Sequence, residues 1–553
     1  MEPSRTALPS APDGVAPRDR LLLPLAVLLS VAVHLGALRN GFVLDDTYVI
    51  VRNAAVNGSA PWWEAFVRDW FGFHRSQVLS IGNWRPLVTL TFRLDQALGG
   101  GAPWVFHLTS LLLHAAATAA LGWSFARLTR RPRAAALFAA LFGVHTLHTE
   151  AVVSLVGRAE LLLTLFAVGV CHAHASSRRA SAPLSVALFA AALLSKESAV
   201  LLLGVLAAGD ALLRPRAWRA LVPRYVALVS CAAAALAARR MVVGSLQGYQ
   251  LSASSNPLVS APWIEQKVTA VRLLGHATSL LIAPFELLPD YGLAVMLPSA
   301  RPDPLFALGA ATLAACAALL WRSRRAPATG DGSAWPGVAA AGFALFAAFA
   351  TNLVVPILVL FAERFWYLPS AAFLFIVVER SASIARPGPR RLALSALVLW
   401  VALLGWLTAR RTAEWRSDET LAASCVAVNE RSGLCLANLG QARLGRGRSG
   451  EAYALCRAAT SRRPDLAPAW GCAGTALARM GHLDEAIGLF ERMVQHPGAP
   501  PEYEGNYVRA LLLRDRPREA LERLRRIAAL GLWTPQAEAL RREALQRLTP
   551  PAR

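Results

Sequence analysis

Lysine is all but missing here: Lys196 and Lys267 are the only two in 553 residues, so arginine carries nearly all of the positive charge. Charge of either sign is sparse, 17% against 55% hydrophobic residues, which excludes a large soluble enzyme and a disordered scaffold. A net charge of +22 raises the question of nucleic acid. A phosphate-tracking surface needs its cations on one face, however, and these arginines gather at the ends of apolar blocks, so nucleic acid is not an expected partner. Arginine- and alanine-rich, lysine-poor usage is that of a GC-rich genome. Cysteine is scarce too, at seven. Cys171, Cys231 and Cys316 lie in apolar blocks as small hydrophobes. Cys425, Cys435, Cys456 and Cys472 fall in a more polar tail, where disulfides are allowed but spacing does not give the pairing.

What the chain has in abundance is apolar runs. No small-residue cleavage site follows the first of them, so it reads as an uncleaved first span. A spanning helix needs about twenty apolar residues. Segments near 21–39, 105–126, 134–152, 159–175, 183–195, 198–213, 221–238, 303–321, 337–360, 366–380 and 391–409 meet or approach that, giving about eleven spans. The Ser-Lys-Glu-Ser sequence at 195–198 reads as the charged tip of a tight hairpin of short spans. With residues 1–20 in the cytosol, the arginine-rich connectors 127–133, 178–179, 214–224, 322–325 and 380–391 all fall on the cytosolic side. That agreement requires 266–288, with Arg272 and His276, to lie along or dip into the outer surface without crossing. The expected architecture is all-α: a polytopic membrane domain over 21–409 with an outer loop at 40–104, then a soluble domain over 417–548. In the loop, Trp62, Trp63, Phe66, Val67 and Trp70 suggest a helix lying in the membrane interface or packed on the spans.

The tail repeats itself. Ala442, Ala476 and Ala510 recur every 34 residues, as do Ala452, Ala486 and Ala520, and Cys456, Phe490 and Leu524, with Gly447 and Gly481 continuing to Asp515. A 34-residue period, small residues at helix crossings and glycine at the turn mark a short tetratricopeptide (TPR) α-solenoid of about three repeats. Such a surface usually binds a protein.

Polar residues that a membrane tolerates poorly collect on the expected outer side. They are Asp45 and Asp46 after the first span, Arg85 in the loop, His145, His148 and Glu150, then Arg158 and Glu160, Lys196 and Glu197, Asp290 and Tyr291, and Glu363, Arg364 and Tyr367. The two histidines, three apart, could be metal ligands, or structural groups bonded within the fold. Together the set suits a membrane-embedded anion, with carboxylates as base and Arg158, Lys196 and Arg364 holding phosphate.

The ordered motifs Gly-Phe-Val-Leu-Asp-Asp at 41–46, Asn-Trp-Arg-Pro-Leu at 83–87, His-Thr-Leu-His-Thr-Glu-Ala at 145–151, Gly-Arg-Ala-Glu at 157–160, Lys196-Glu197, Asp290-Tyr291 and Glu-Arg-Phe-Trp-Tyr-Leu-Pro-Ser at 363–370, followed by repeats, resemble the transmembrane-and-tetratricopeptide-repeat protein O-mannosyltransferases and their bacterial relatives. The resemblance covers almost the whole chain and implies a GT-C-like membrane domain. It also implies transfer of a sugar, mannose by analogy, from a polyprenyl-phosphate donor to Ser or Thr of an acceptor protein. The expected setting is a bacterial inner membrane with the repeats periplasmic. Few repeats and scarce lysine depart from the eukaryotic members. In this reading Asp45 or Asp46 is the base, Arg158, Lys196, Arg364 and His148 meet the donor phosphate, and Arg85, His145, Glu150, Glu160, Glu197, Asp290, Tyr291, Glu363 and Tyr367 support them. No cofactor is required, although a divalent metal is compatible with such a site. The rival readings are a non-enzymatic TPR membrane anchor for envelope assembly, or a lipid-linked glycan ligase or transporter.

Overall fold

The computed structural model describes residues 17–73, 82–176, 178, 180–215, 218–244, 256–292, 296–325, 334–496, 501–529, 533 and 535–548. The chain forms two compact units, one of residues 1–72, 81–287 and 298–416, the other of 73–80, 288–297 and 417–553. Among the described residues all regular structure is helical.

The first unit holds α1 (Leu22–His34), α2 (Pro86–Gly99), α3 (Pro103–Thr129), α4 (Pro132–Val144), α5 (Arg158–Ala175), α6 (Ser181–Ser195) and α7 (Leu202–Leu213). It continues with α8 (Trp218–Val243), α9 (Trp263–Ile282), α10 (Pro304–Arg325), α11 (Trp335–Ala350), α12 (Tyr367–Ala382) and α13 (Pro387–Glu414), leaving short helical turns unnumbered. Proline in the first turn starts α2, α3, α4, α11 and α13, where its missing N–H costs nothing. Among the described residues six helices are long and apolar enough to cross a membrane, and a seventh span results if α4 and the turn Thr146–Val152, bent by 51°, are one. The bend has a local cause. His145 is extended and its side chain accepts from the Leu147 amide (3.3 Å), capping a new turn.

Several expected segments differ in detail. The span expected over 337–360 stops at Ala350. There Asn352 takes a left-handed backbone (φ 62°), accepts from the Ile357 amide (2.7 Å) and donates to the Leu360 carbonyl (2.9 Å), so its side chain supplies the partners that a helix would have supplied. The expected hairpin at 195–198 does turn, through Glu197–Leu201, but its arms diverge. Helix α6 packs on α5 and α8, whereas α7 packs on α11. The aromatic run is only a turn, Trp62–Phe66, that leaves Trp62 and Trp63 exposed while Trp70 is buried. The outer loop also contains α2, a helix the apolar pattern did not reveal.

Helices α9 and α10 approach each other closely. A Cβ on Gly275 would strike the Leu305 carbonyl, and one on Gly309 the Val271 carbonyl. Arg272 meets Asp303 (2.8 Å) and Thr278 meets Thr312 (3.1 Å), so the two run parallel, with α10 beginning beside the middle of α9.

The second unit is the repeat domain. It consists of α14 (Asp418–Val428), α15 (Gly433–Gly445), α16 (Ser449–Arg462), α17 (Ala467–Arg479), α18 (Leu483–Met493), α19 (Pro501–Leu513), α20 (Pro517–Ala529) and α21 (Pro535–Leu548). Three helix pairs, α15–α16, α17–α18 and α19–α20, start 34 residues apart, with α21 packing as a last helix. Ala452, Ala486 and Ala520 are fully buried at the crossings, and Gly447, Gly481 and Asp515 each turn the chain with positive φ. Disulfides Cys425–Cys435 and Cys456–Cys472 join α14 to α15 and α16 to α17. Ala486→Leu should overpack the α17–α18 crossing by about 1–3 kcal/mol. Gly488→Ala, on the exposed side of the same helix, should instead stabilise it by up to about 1 kcal/mol. Opposite shifts in the denaturant needed for half-maximal proteolysis of the tail, in the full-length protein, check both.

Candidate functional site

The chain leaving α1 is tied to the far end of its own unit. Asn40 donates to the Thr412 carbonyl (3.1 Å) and the Gly41 amide to the Arg416 carbonyl (3.1 Å), both at the close of α13. Leu44 then takes a left-handed conformation (φ 50°), which a non-glycine residue adopts only when its surroundings hold it there. That turn sends the next two carboxylates different ways. Asp46 is buried and accepts from the Val43 amide (3.1 Å). Asp45 is exposed and has no ion pair among the described residues. The protein packed around it pushes its carboxyl above the usual range, with Arg364 pulling down and Glu150 pushing up.

Arg364 opens the turn before α12. Its amide donates to Glu150 Oε2 (2.8 Å) and its guanidinium pairs with Glu150 Oε1. Burial would lower its affinity for a proton, but Glu150 and Asp45 outweigh burial and raise it. Lys196, at the tip between α6 and α7, pairs with Glu160. Both cations share one ring, Phe365, with Lys196 Nζ 4.5 Å and the Arg364 guanidinium carbon 5.2 Å from its centroid. Arg85 stacks on Trp70 (4.2 Å) and pairs with Glu197 (3.2 Å), which Arg239 also approaches (3.7 Å). Burial opposes ionisation of Glu197, yet the two arginines hold it far below the ordinary carboxylate range.

Other expected site residues are committed elsewhere. Arg158 is completely buried, paired with Asp95 (2.6 Å), bonded to Ser110, Thr91 and the Phe106 carbonyl, and stacked on Phe92. It is a core residue and not an open phosphate ligand. His148 is bonded at one nitrogen to the Phe142 carbonyl (2.8 Å) and at the other to Ser370 (2.7 Å). His145 is held by the Leu281 carbonyl (3.0 Å), and the Tyr367 hydroxyl by His114 (2.8 Å). Glu363 is buried 3.6 Å from Arg411. Asp290 and Tyr291 belong to the second unit: Tyr291 accepts from the Leu288 amide, while burial raises the Asp290 carboxyl against the pull of Arg463 and a bond from Ser432. Among the described residues no three His, Cys, Asp or Glu are grouped to hold a metal.

Sequence reading missed Asp95 and Arg239, and it placed Trp70 in the loop's aromatic run and Phe365 in a motif without assigning either to the site. Arg239 did carry a signal, an arginine at the expected outer end of an apolar block, against the charge rule that placed the other connectors.

No family model matches this chain. Three curated relatives are the protein O-mannosyl-transferases Tmtc2 of Drosophila melanogaster, F38B6.6 of Caenorhabditis elegans and TMTC3 of Mus musculus. Tmtc2 is 34% identical over 48% of this chain and 30% of its own length. F38B6.6 is 26% identical over 76% of this chain and 59% of its own. TMTC3 is 29% identical over 76% and 48%. The chain therefore spans 30% to 59% of the length of these three relatives. Among solved structures, the APC/C hetero-tetramer Cut9-Hcn1 aligns over 83% of this chain and 96% of its own at 13% identity and a TM-score of 0.24, too low to carry a correspondence of fold.

Arg158→Met should leave Asp95 buried without its cation and cost about 3–5 kcal/mol of stability. Arg364→Met, at a residue a quarter exposed, should lose much less. Thermal unfolding of the two variants in one detergent compares them, and equal losses would show that Arg364 is equally structural.

Proposed function

We propose that this multi-pass membrane protein belongs with the transmembrane-and-tetratricopeptide-repeat protein O-mannosyltransferases, and that it transfers mannose from a polyprenyl-phosphate donor to Ser or Thr of a protein outside the cytosol. The observation that carries this reading is the placing of two cations, Arg364 and Lys196, over one aromatic ring, with the exposed carboxylate Asp45 within electrostatic reach of Arg364. The relatives' printed names support the same chemistry.

Asp45 is the base, because Asp46 is buried and spends an oxygen on the Val43 amide. The acceptor hydroxyl attacks the sugar's anomeric carbon from the face opposite the phosphate. Its proton passes to Asp45 as the carbon–phosphate-oxygen bond breaks, so configuration inverts. The departing phosphate is already a weak base and needs charge stabilisation more than a proton. Arg364 and Lys196 supply it by releasing Glu150 and Glu160 in part. This scheme needs no metal, and loss of transfer on chelation would require one to be added. The repeat domain receives the acceptor protein. Its two disulfides suit an oxidising compartment and hence the outer side. Eleven spans give that sidedness when α9 counts as re-entrant, as its parallel packing on α10 favours. A bacterial inner membrane fits the lysine-poor composition.

Asp45→Asn should lower kcat for transfer from labelled polyprenyl-phosphate mannose by about 10²–10⁴, and undiminished transfer would remove the base. Asp46→Asn should act through stability first. Because the protein packed around Asp45 holds its carboxyl above the ordinary carboxylate range and only its ionised form accepts a proton, activity should fall with acid at a pH above that range. Arg364→Gln removes the cation opposing that rise, so the acid limb of kcat should move to higher pH.

A further inference from the structure

The break after α4 leaves the last carbonyls of that helix without partners in the next turn, and side chains from elsewhere in the unit take them up. His148 Nδ1 lies 2.8 Å from the Phe142 carbonyl, His114 Nε2 lies 3.0 Å from that of Gly143, and the Thr408 hydroxyl donates to that of Val144 (2.7 Å). A carbonyl only accepts, so each of these ring nitrogens carries the hydrogen, and the tautomer of both imidazoles follows. In a neutral ring the other nitrogen is then an acceptor. Both of those acceptors meet the first turn of α12: His114 Nδ1 accepts from the Tyr367 hydroxyl (2.8 Å) and His148 Nε2 from that of Ser370 (2.7 Å). The Ser370 hydroxyl also lies 2.7 Å from the Tyr367 carbonyl, so its one hydrogen is shared between the two.

These four side chains are completely buried. The rings of Phe142, His114, His148 and Tyr367 pack with every pair of centroids between 4.5 and 6.4 Å apart, which fixes their orientation. The stretch they hold is the one that carries Arg364, just before Tyr367. Glu150 grips the same stretch through the Arg364 amide and guanidinium. That grip alone cannot fix the turn during transfer, because the guanidinium has to leave Glu150 in part to meet a phosphate. The two histidines hold the helix start without using the guanidinium, so the Arg364 side chain can move while its backbone stays in place.

We infer that His114 and His148 are positioning residues, two-ended struts that run from the broken end of α4 to the first turn of α12 and fix the position of Arg364. The consequence for transfer rests on the reading proposed above, whereas the struts rest on the bonds themselves. Imidazole suits the task because one neutral ring offers a donor and an acceptor on different edges, and so bridges a buried carbonyl and a buried hydroxyl without burying a charge. His148, with both nitrogens occupied, is then not a ligand of the donor phosphate.

Asp45 reports that position, because Arg364 pulls its carboxyl down while Glu150 pushes it up. The test uses the full-length protein in nanodiscs and labels carboxyls with a water-soluble carbodiimide and an amine over a pH series, reading Asp45 by peptide mass spectrometry against the exposed Glu430. The protonated carboxyl is the reactive form, so displacing Arg364 moves the labelling midpoint of Asp45 to higher pH. Tyr367→Phe and Ser370→Ala each remove one hydroxyl donor. Each should raise the midpoint, and the double variant should raise it by about half a unit or more, in the direction of Arg364→Gln. Ser370→Thr, which keeps a hydroxyl, should leave it unmoved, and the double variant should add nothing on an Arg364→Gln background. In mannose transfer, kcat of the double variant should fall about tenfold or more. A lowered unfolding temperature with an unmoved midpoint, or an equal shift when Arg364 is already Gln, would overturn the proposal. The single variants carry the same test where the double variant does not fold. A shifted midpoint in a protein that transfers no mannose would refute the proposed reaction and leave the struts standing.

Discussion

A buried charge must find its opposite, and that requirement organises one end of the first unit. Glu160 with Lys196, Glu150 with Arg364, Glu197 with Arg85 and Arg239, and Asp95 with Arg158 each neutralise a group that a low-dielectric interior would otherwise reject. The partners are remote in sequence, 214 residues apart for Glu150 and Arg364 and 112 for Arg85 and Glu197. No local segment can satisfy its own charge, so the cluster exists only when α2, α5, α8 and the turns before α7 and α12 have all arrived. Charge pairing thus ties the active end to completion of the helical bundle. Removing one member strands the other.

Asp45 escapes this rule, and the escape is what suits it to the role proposed for it. Asp45 and Asp46 are the same residue one position apart, but the left-handed turn at Leu44 sends one to the surface and the other to cap the Val43 amide. The paired carboxylates have their lone pairs occupied by cations. Asp45 feels Arg364 without a pairing contact, so its oxygens stay available to a hydroxyl.

Residue types and periods made much of this legible. The apolar blocks became helices, and the 34-residue recurrence became helix pairs with Ala452, Ala486 and Ala520 at the crossings. What stayed hidden depended on partners. Arg158 and Arg364 each occupy a polar connector beside a glutamate, and nothing local says that Asp95 from α2 will take up Arg158 while Arg364 keeps a quarter of its surface. The end of α11 at Ala350 was concealed because the apolar run continues to Leu360, and only the side-chain bonds of Asn352 mark the break. Asp290 and Tyr291 looked like neighbours of the other motifs because order along a chain says nothing of which compact unit a connector joins.

Paired cations also constrain how an anion can bind. If Arg364 and Lys196 stood free, a phosphate would only be added to them. Because each already holds a carboxylate, the phosphate has to exchange with Glu150 and Glu160, and its net gain is the difference between two strong interactions. In the proposed transfer that difference grows only as the sugar bond breaks and charge develops on the phosphate, the moment at which tighter binding accelerates a reaction.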